Sequence, residues 1–383
     1  MKIVNICLSG SYNIGWGYQD NLISKYQKAN GNDVTLITTR FINDKNSEDY
    51  LEVEPGVYYD EGVKVIRLEH GLGKKLTKLL RHYKKLYSTL ENEHPDLLFI
   101  HGLQFIDILY VCKYLNKNKN VRCCVDNHAD KTNSAKGFLA NFVHKTIWKF
   151  CAKKINKYAE IFYGVLPVRC DFLHDMYDID YNKIQLLVMG ADDELLNKGI
   201  NNRVETRKML NIKDDDFMIL TGGKIDYHKT ETLDLMDAVN DIKNRKVKLV
   251  VFGSVADKIK EVFESKLSEN VIYVGWVNQE EIYKLIGATD LGFYPGRHSV
   301  IWEQMVASGT PCIFKKLQKT NHVDIGGNCI LLDDTSYDGI RSTLEHVLNK
   351  NVYICMKEAA MSKKRNEFLY SKIAKKPIES NVI

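Results

Sequence analysis

Short, continuous apolar runs recur along the chain, and segments with helix-like apolar spacing separate them. In the first half the runs are Ile3–Leu8, Val34–Thr38, Val63–Leu68, Leu97–Ile100, Val121–Val125, Ile161–Leu166 and Ile184–Val188. In the second half they are Phe217–Leu220, Val247–Phe252, Val271–Val274, Leu291–Tyr294, Pro311–Phe314 and Ile330–Leu332. Unbroken Val/Ile/Leu runs, as opposed to alternating ones, predict strands buried on both faces, as in parallel sheets. Segments such as Glu231–Ile242 and Asn278–Ile286 carry the helical period. Two consecutive sets of β-α repeats predict an α/β protein built of two Rossmann-like, doubly wound domains. The polar stretch GADDELLNKG beginning at Gly190 separates the two sets. The expected division is 1–190, 191–360 and a closing C-terminal helix over 361–383. Ligands of such domains bind beyond the carboxyl ends of the strands, which makes a crevice facing both domains the expected site.

The bulk properties narrow this picture. A chain of 383 residues exceeds the usual limit of one hydrophobic core. No window reaches the ~18 apolar residues of a membrane span, and Met1-Lys2-Ile3-Val4 opens into a strand rather than a signal peptide. The nine cysteines are scattered and include no C-x-x-C pair, which predicts buried thiols in a reducing cytoplasm and neither a disulfide framework nor a zinc site. A net charge of +5 is too small for a nucleic-acid binder. Locally the charge is uneven: residues 74–85 carry six Lys/Arg and no acid, and 113–157 carry eleven against Asp126 and Asp130. Such stretches suit a phosphate-bearing acceptor or an anionic membrane surface at the inner face. In 74–87 an apolar stripe (Leu76, Leu79, Leu80, Tyr83, Leu86, Tyr87) opposes Lys74, Lys78, Arg81 and Lys85. Core packing with a solvated face and a peripheral membrane contact are both readings of it.

The first strand runs into Leu8-Ser9-Gly10-Ser11-Tyr12-Asn13-Ile14-Gly15-Trp16-Gly17. Gly15 and Gly17 allow close backbone approach to an anion, and a ligand-free tight turn is an equal alternative. The spacing is not G-x-G-x-x-G, and the second strand ends in Thr38-Thr39-Arg40 without the acid that holds an NAD ribose, which disfavours a dehydrogenase. In the second half a strand leads into Gly222-Gly223-Lys224-Ile225-Asp226-Tyr227-His228-Lys229. Two lysines on one post-strand loop can converge on a diphosphate, each as a compact point charge. Two solvated lysines are the plainer reading, against which Gly223 and its neighbour weigh. Further on, Tyr294-Pro295-Gly296-Arg297-His298-Ser299-Val300-Ile301-Trp302-Glu303 forms a glycine-containing loop and a helix start with a carboxylate able to accept two hydrogen bonds from a ribose diol. Glu303 also fits a purely structural role at a helix N-terminus.

Taken together these residues resemble the retaining GT-B glycosyltransferases of family 4. The resemblance spans nearly the whole chain: the loop at Gly15–Gly17, Asn30-Gly31-Asn32-Asp33-Val34 before the second strand, Asp126-Asn127-His128 after a central strand, and Met189-Gly190-Ala191-Asp192 at the hinge. Lys224 and Lys229 match the positions that grip the donor diphosphate, and Glu303 matches the second Glu of the Glu-x7-Glu motif. The resemblance implies a nucleotide-sugar donor, UDP-linked by preference, and a saccharide or lipid-linked acceptor. It implies no metal, retention of anomeric configuration, Glu303 on the donor ribose, backbone at Trp276 and Val277 on the base, and His128 near the transferred sugar.

One departure stands out. Counting back eight from Glu303 reaches Pro295, so the first Glu of the motif is missing and the intervening loop is short. Arg297, His298 or the amides of Ser299 and Val300 would have to replace it. The shortened Gly-x-His-Ser-Val-x-Trp-Glu-Gln form resembles bacterial polysaccharide-biosynthesis members. Two rivals stay open: a UDP-sugar epimerase, which would use the same fold, and a degenerate GT-B scaffold that binds without turnover, which the missing Glu makes plausible. Asp178-Ile179-Asp180 has D-x-D form but ends a helical segment, which points to the surface. His101-Gly102 closes a strand and reads equally as cleft-lining or structural.

Overall fold

The structure, a computed structural model, describes residues 1–44, 50–226, 230–242 and 246–379. It divides into two compact units: Met1–Met189 with the segment from Tyr370, and Gly190–Leu369. The second unit therefore runs on to Leu369, and 361–383 is not one closing helix. Lys363–Phe368 is a tight 3-10 turn of the second unit, followed by short helices at Tyr370–Ile373 and Lys376–Glu379. These two belong to the first unit, where Tyr370 is buried and stacks on Tyr26 and Arg122 donates to the Ile378 carbonyl at 2.7 Å. Pro377 permits only a fresh helix start there.

The strands of the first unit are β1 (Lys2–Cys7), β2 (Asp33–Thr38), β3 (Phe41–Asn43), β4 (Tyr50–Glu52), β5 (Gly56–Asp60), β6 (Val63–Arg67), β7 (Leu97–His101), β8 (Arg122–Asn127), β9 (Ile161–Gly164) and β10 (Ile184–Leu186). Eight form one sheet in the order β10-β9-β8-β7-β1-β2-β6-β5, parallel except for the β5–β6 hairpin, while β3 and β4 pair as a separate ribbon. The second unit contributes β11 (Phe217–Gly222), β12 (Val247–Phe252), β13 (Val271–Tyr273), β14 (Leu291–Tyr294), β15 (Cys312–Lys315) and β16 (Cys329–Leu332), all parallel in the order β13-β12-β11-β14-β15-β16.

Every apolar run becomes a strand; β7, β12 and β14 are buried on both faces, while β6, β10 and β13 are covered only in part. Two edges shift. β8 starts one residue late and continues through Asp126 and Asn127, placing His101 and Asp126 opposite each other in register. β15 begins at Cys312, since Pro311 has no N–H to give a ladder. Beyond the predicted runs the structure adds three short strands, β3, β4 and β5, in which only Phe41 and Asp60 are buried. The stripe of 74–87 divides: Tyr83 and Leu86 are core, whereas Leu76 and Leu79 are exposed. All nine cysteines are unpaired; seven are buried, Cys170 is half-buried and Cys355 is exposed.

Strand order reverses around β1 in the first sheet and between β11 and β14 in the second. At such switch points the post-strand loops diverge and leave a crevice at the carboxyl ends. Each unit gathers candidate site residues there.

Candidate functional site

In the second unit the loops after β11, β12 and β13 run side by side. The Gly223 N–H donates to the Phe252 carbonyl at 3.0 Å, Gly253 N–H to the Gly275 carbonyl at 2.7 Å, and Ile225 pairs with Val255. Gly253 holds φ +114°, and a Cβ there would lie 1.9 Å from the Gly223 oxygen. Only glycine permits this approach, which packs the loop bearing Lys224 against its neighbour. Lys224 is exposed at the end of that loop. Lys229 lies outside the described residues.

Glu303 sits on the helix Ile301–Ser308, whose residues are all buried. Its carboxylate is fully enclosed. Oε1 accepts from His298 Nε2 at 2.9 Å and from His322 Nε2 at 2.8 Å, and Oε2 has no partner among the described residues. Burial pushes this carboxyl up, but the two imidazoles outweigh it and bring it down to about 2. The His298 ring leans edge-on against Trp302 at 5.0 Å, and Trp302 stacks on Phe314 at 4.5 Å. Arg365 and Lys357 donate to the Ala307 and Gly309 carbonyls at the helix C-terminus, anchoring its far end. His322 belongs to a 3-10 turn nineteen residues beyond Glu303, and no motif in the sequence marks it. It also borders a surface cavity of about 460 Å³ with Asp324, Lys364 and Glu367.

In the first unit Asp126 plays the corresponding part. His101 Nδ1 lies 2.9 Å from its Oδ2, the Gly102 N–H donates to Oδ1 at 3.0 Å, and His128 Nε2 stands 3.4 Å from Oδ2. The imidazoles hold this buried carboxyl well below the usual range although burial alone pushes it up. His101 is pushed down by burial, but Asp126 and Asp20 prevail and raise it. Its Nε2 is buried without a partner among the described residues. Beside the pair lies a cavity of about 320 Å³ lined by Ser9, Asp20, Arg81, His101, His128 and Asn133 among others. The far wall is fixed by Asp130, whose Oδ1 accepts from Thr132 and Asn133 amides and whose Oδ2 takes Arg169 Nε at 3.1 Å. The sequence marks Arg81 only as part of the basic face of 74–87, and Asp20 only as a residue following the glycine loop.

That glycine loop is held from within. Asp60 accepts from Tyr12 Oη at 2.6 Å, Asn21 Nδ2 at 2.9 Å and the Gly15 amide at 3.1 Å, while Arg67 donates to the Tyr12 and Thr39 carbonyls. The Gly15 N–H is therefore engaged, and Gly17 is half-buried three residues on from Ile14. Trp276 is exposed and Val277 half-buried just after β13, Arg297 is exposed, and Ser299 and Val300 open the Glu303 helix, accepting from the Trp302 and Gln304 amides. Asp178 ends a helix at the surface and pairs with Lys149 and Lys153. Two groups, Asp20/His101/His128 and His298/Glu303/His322, bring one donor atom per residue within 4.8 Å of one another, a nitrogen–oxygen set of the kind divalent ions take.

No family model matches the chain. An uncharacterized glycosyltransferase of Methanocaldococcus jannaschii is 23% identical over 146 residues; the match covers 36% of this chain and 37% of that protein's length. Solved structures match over nearly the full chain. Sucrose-phosphate synthase of Thermosynechococcus elongatus aligns with TM-score 0.65 and 15% identity over 97% of this chain and 96% of its own. HepE of Anabaena, solved with UDP and glucose, aligns with TM-score 0.62 and 12% identity over 99% and 98%. The chain has the GT-B fold. A UDP-GlcNAc 2-epimerase of Neisseria meningitidis bound to UDP-GlcNAc shares this GT-B architecture at TM-score 0.61, 13% identity and 99% coverage of both chains. Within the GT-B frame both clusters fall at the carboxyl ends of the parallel strands, where ligands of doubly wound sheets bind.

Proposed function

We propose that this chain is a glycosyltransferase of the retaining family 4 type, moving a sugar from a UDP-sugar to a saccharide or lipid-linked acceptor in glycan biosynthesis. The observation that carries the reading is Glu303: a fully buried, ionised carboxylate with one oxygen clamped by two imidazoles and the other unpartnered among the described residues. A buried acceptor without a donor is costly, and a ribose diol supplies the missing donors. The glycine-lined loop with Lys224, and with Lys229 beyond the described residues, takes the diphosphate. As the anomeric C–O bond breaks, the electron pair passes to the diphosphate, and lysine charge stabilises it. The acceptor oxygen bonds to the anomeric carbon on the same face and gives its proton to the departing phosphate. The resemblance assigns His128 to the transferred sugar. Since His298 is engaged with Glu303, Arg297 and the loop amides are left to replace the missing first Glu.

The test is thermal stability against UDP, GDP, TDP, ADP and NAD, followed by NMR of the product's anomeric centre. A ligand at 100 times its dissociation constant adds about 2.7 kcal/mol, a shift of several degrees. Stabilisation by UDP that is lost in both Lys229→Ala and Glu303→Ala supports the reading; no shift with any nucleotide, or an inverted product, sinks it. Pro295 in place of the first Glu, together with the epimerase sharing the fold, favours a second reading as UDP-sugar epimerase. That enzyme would convert its sugar nucleotide with no acceptor present.

A further inference from the structure

We propose that the helical run from Phe138 to Ile155 docks the first unit on an anionic lipid bilayer. The run is continuous: an α-helix at Phe138–Val143, a π turn at His144–Trp148 and an α-helix at Lys149–Ile155. One side is core, with His144, Trp148, Cys151, Ala152 and Ile155 buried. The side facing away carries large apolar residues among its polar ones: Phe138 is 89% exposed, Leu139 74%, Phe142 55% and Phe150 48%, with Lys145 and Thr146 exposed between them. Solvent-facing helix sides are ordinarily polar, and a cluster of large apolar side chains in water marks a docking surface.

The charge around the cluster selects the partner. Residues 113–157 contain eleven Lys/Arg, and their only acids, Asp126 and Asp130, are buried and bonded inside the unit. The exposed charge of the stretch is therefore entirely positive, with Lys131, Lys136 and Lys145 exposed beside the phenylalanines. Lys149 and Lys153 share Asp178 and are not counted among these. A second apolar pair, Leu76 and Leu79, is exposed on the helix Lys74–Leu80. Arg81, the residue after that helix, places its guanidinium 5.6 Å from the Trp148 ring, so the two helices are neighbours. Phenylalanine and leucine ringed by lysine is the composition that settles at the headgroup–acyl boundary of an anionic leaflet. No helix among the described residues is long and apolar enough to cross a membrane, so the contact is interfacial. Ser134, which lines the first unit's cavity, is hydrogen-bonded to His144 at 3.0 Å, and a docked run brings that cavity to the lipid surface.

The experiment is co-sedimentation of the full chain with vesicles of phosphatidylcholine, alone or with about one third phosphatidylglycerol. The chain is expected to pellet with the anionic vesicles only, and less at raised salt. F138S/L139S/F142S should weaken this at least about tenfold while melting like the wild type, because these side chains are exposed. K131E/K136E/K145E, which leaves the apolar residues in place, should weaken it as well. Equal binding to neutral vesicles, no binding to either, or full retention by the serine variant would overturn the proposal. A wild-type dimer that the serine variant converts to monomer, without lipid binding, would reassign the surface to contact between copies.

Discussion

Asp126 and Glu303 are the same device built twice: a buried carboxylate held between two imidazoles at the carboxyl end of a parallel sheet. They differ in what is left over. Asp126 accepts from His101 through one oxygen and from the Gly102 amide through the other, and His101 Nε2 and His128 Nε2 are left without a hydrogen bond among the described residues. In the second unit both imidazoles crowd onto one oxygen of Glu303, and the unpartnered atom is the carboxylate's own Oε2. One cluster thus presents a basic nitrogen beside a cavity, the other an enclosed anionic oxygen. The first carboxylate orients an imidazole; in the second, imidazoles orient a carboxylate.

The comparison can be broken first at Asp126. Asp126→Ala leaves the His101 imidazole and the Gly102 amide without their acceptor and removes the charge beside His128, and the expected loss is about 3–5 kcal/mol, read as a melting shift of roughly ten degrees. Melting within a degree of wild type would make Asp126 dispensable and end the parallel. Glu303→Gln should cost less stability, about 1–2 kcal/mol, since the amide oxygen still accepts from the imidazoles. Under the proposed function it should weaken UDP binding roughly 10–100-fold in calorimetry, the weight of hydrogen bonds to a charged group. Unchanged UDP affinity would leave Oε2 without a ligand role.

The two clusters should also part company in pH. Glu303 falls from an ordinary 4.5 to about 2, so its contribution is present above 4.5 and lost as pH drops toward 2. His101 is raised above 6.5, so its contribution is present below 6.5 and lost as pH climbs through the raised value. Melting profiles of Glu303→Gln and His101→Gln should flatten opposite limbs, acid for the former and alkaline for the latter. Flattening of the same limb by both would refute the contrast. The smallest effect is expected at His322: His322→Gln keeps an N–H donor toward Oε1 and should retain UDP affinity within about threefold, whereas His322→Leu should not.

Much of this was legible in the sequence. Val/Ile/Leu runs marked the parallel strands because both sheet faces are covered, and the glycine loops stood out because each follows a strand directly. β5 did not, since GVYYD pairs at an exposed edge and carries no core signature. Asp60 buttresses Gly15 from 45 residues away, a relation only the β1–β2–β6–β5 order creates. Glu303 was found by its spacing, but its enclosure follows from a helix buried on every side. His322 had no local signal, because its turn meets the helix only after β15 has crossed the sheet. Phe138 and Phe142 escaped notice because apolar residues on a helix ordinarily predict burial.

The cysteine pattern has a practical consequence. Burial raises Cys7, Cys112, Cys123, Cys124, Cys151, Cys312 and Cys329, which suppresses their thiolates, and Cys170 is half-covered. Cys355, on the helix Lys350–Ala360, is the exposed one. A maleimide dye should therefore attach to the native chain at one fast position, giving the second unit a fluorescent reporter with no engineered substitution.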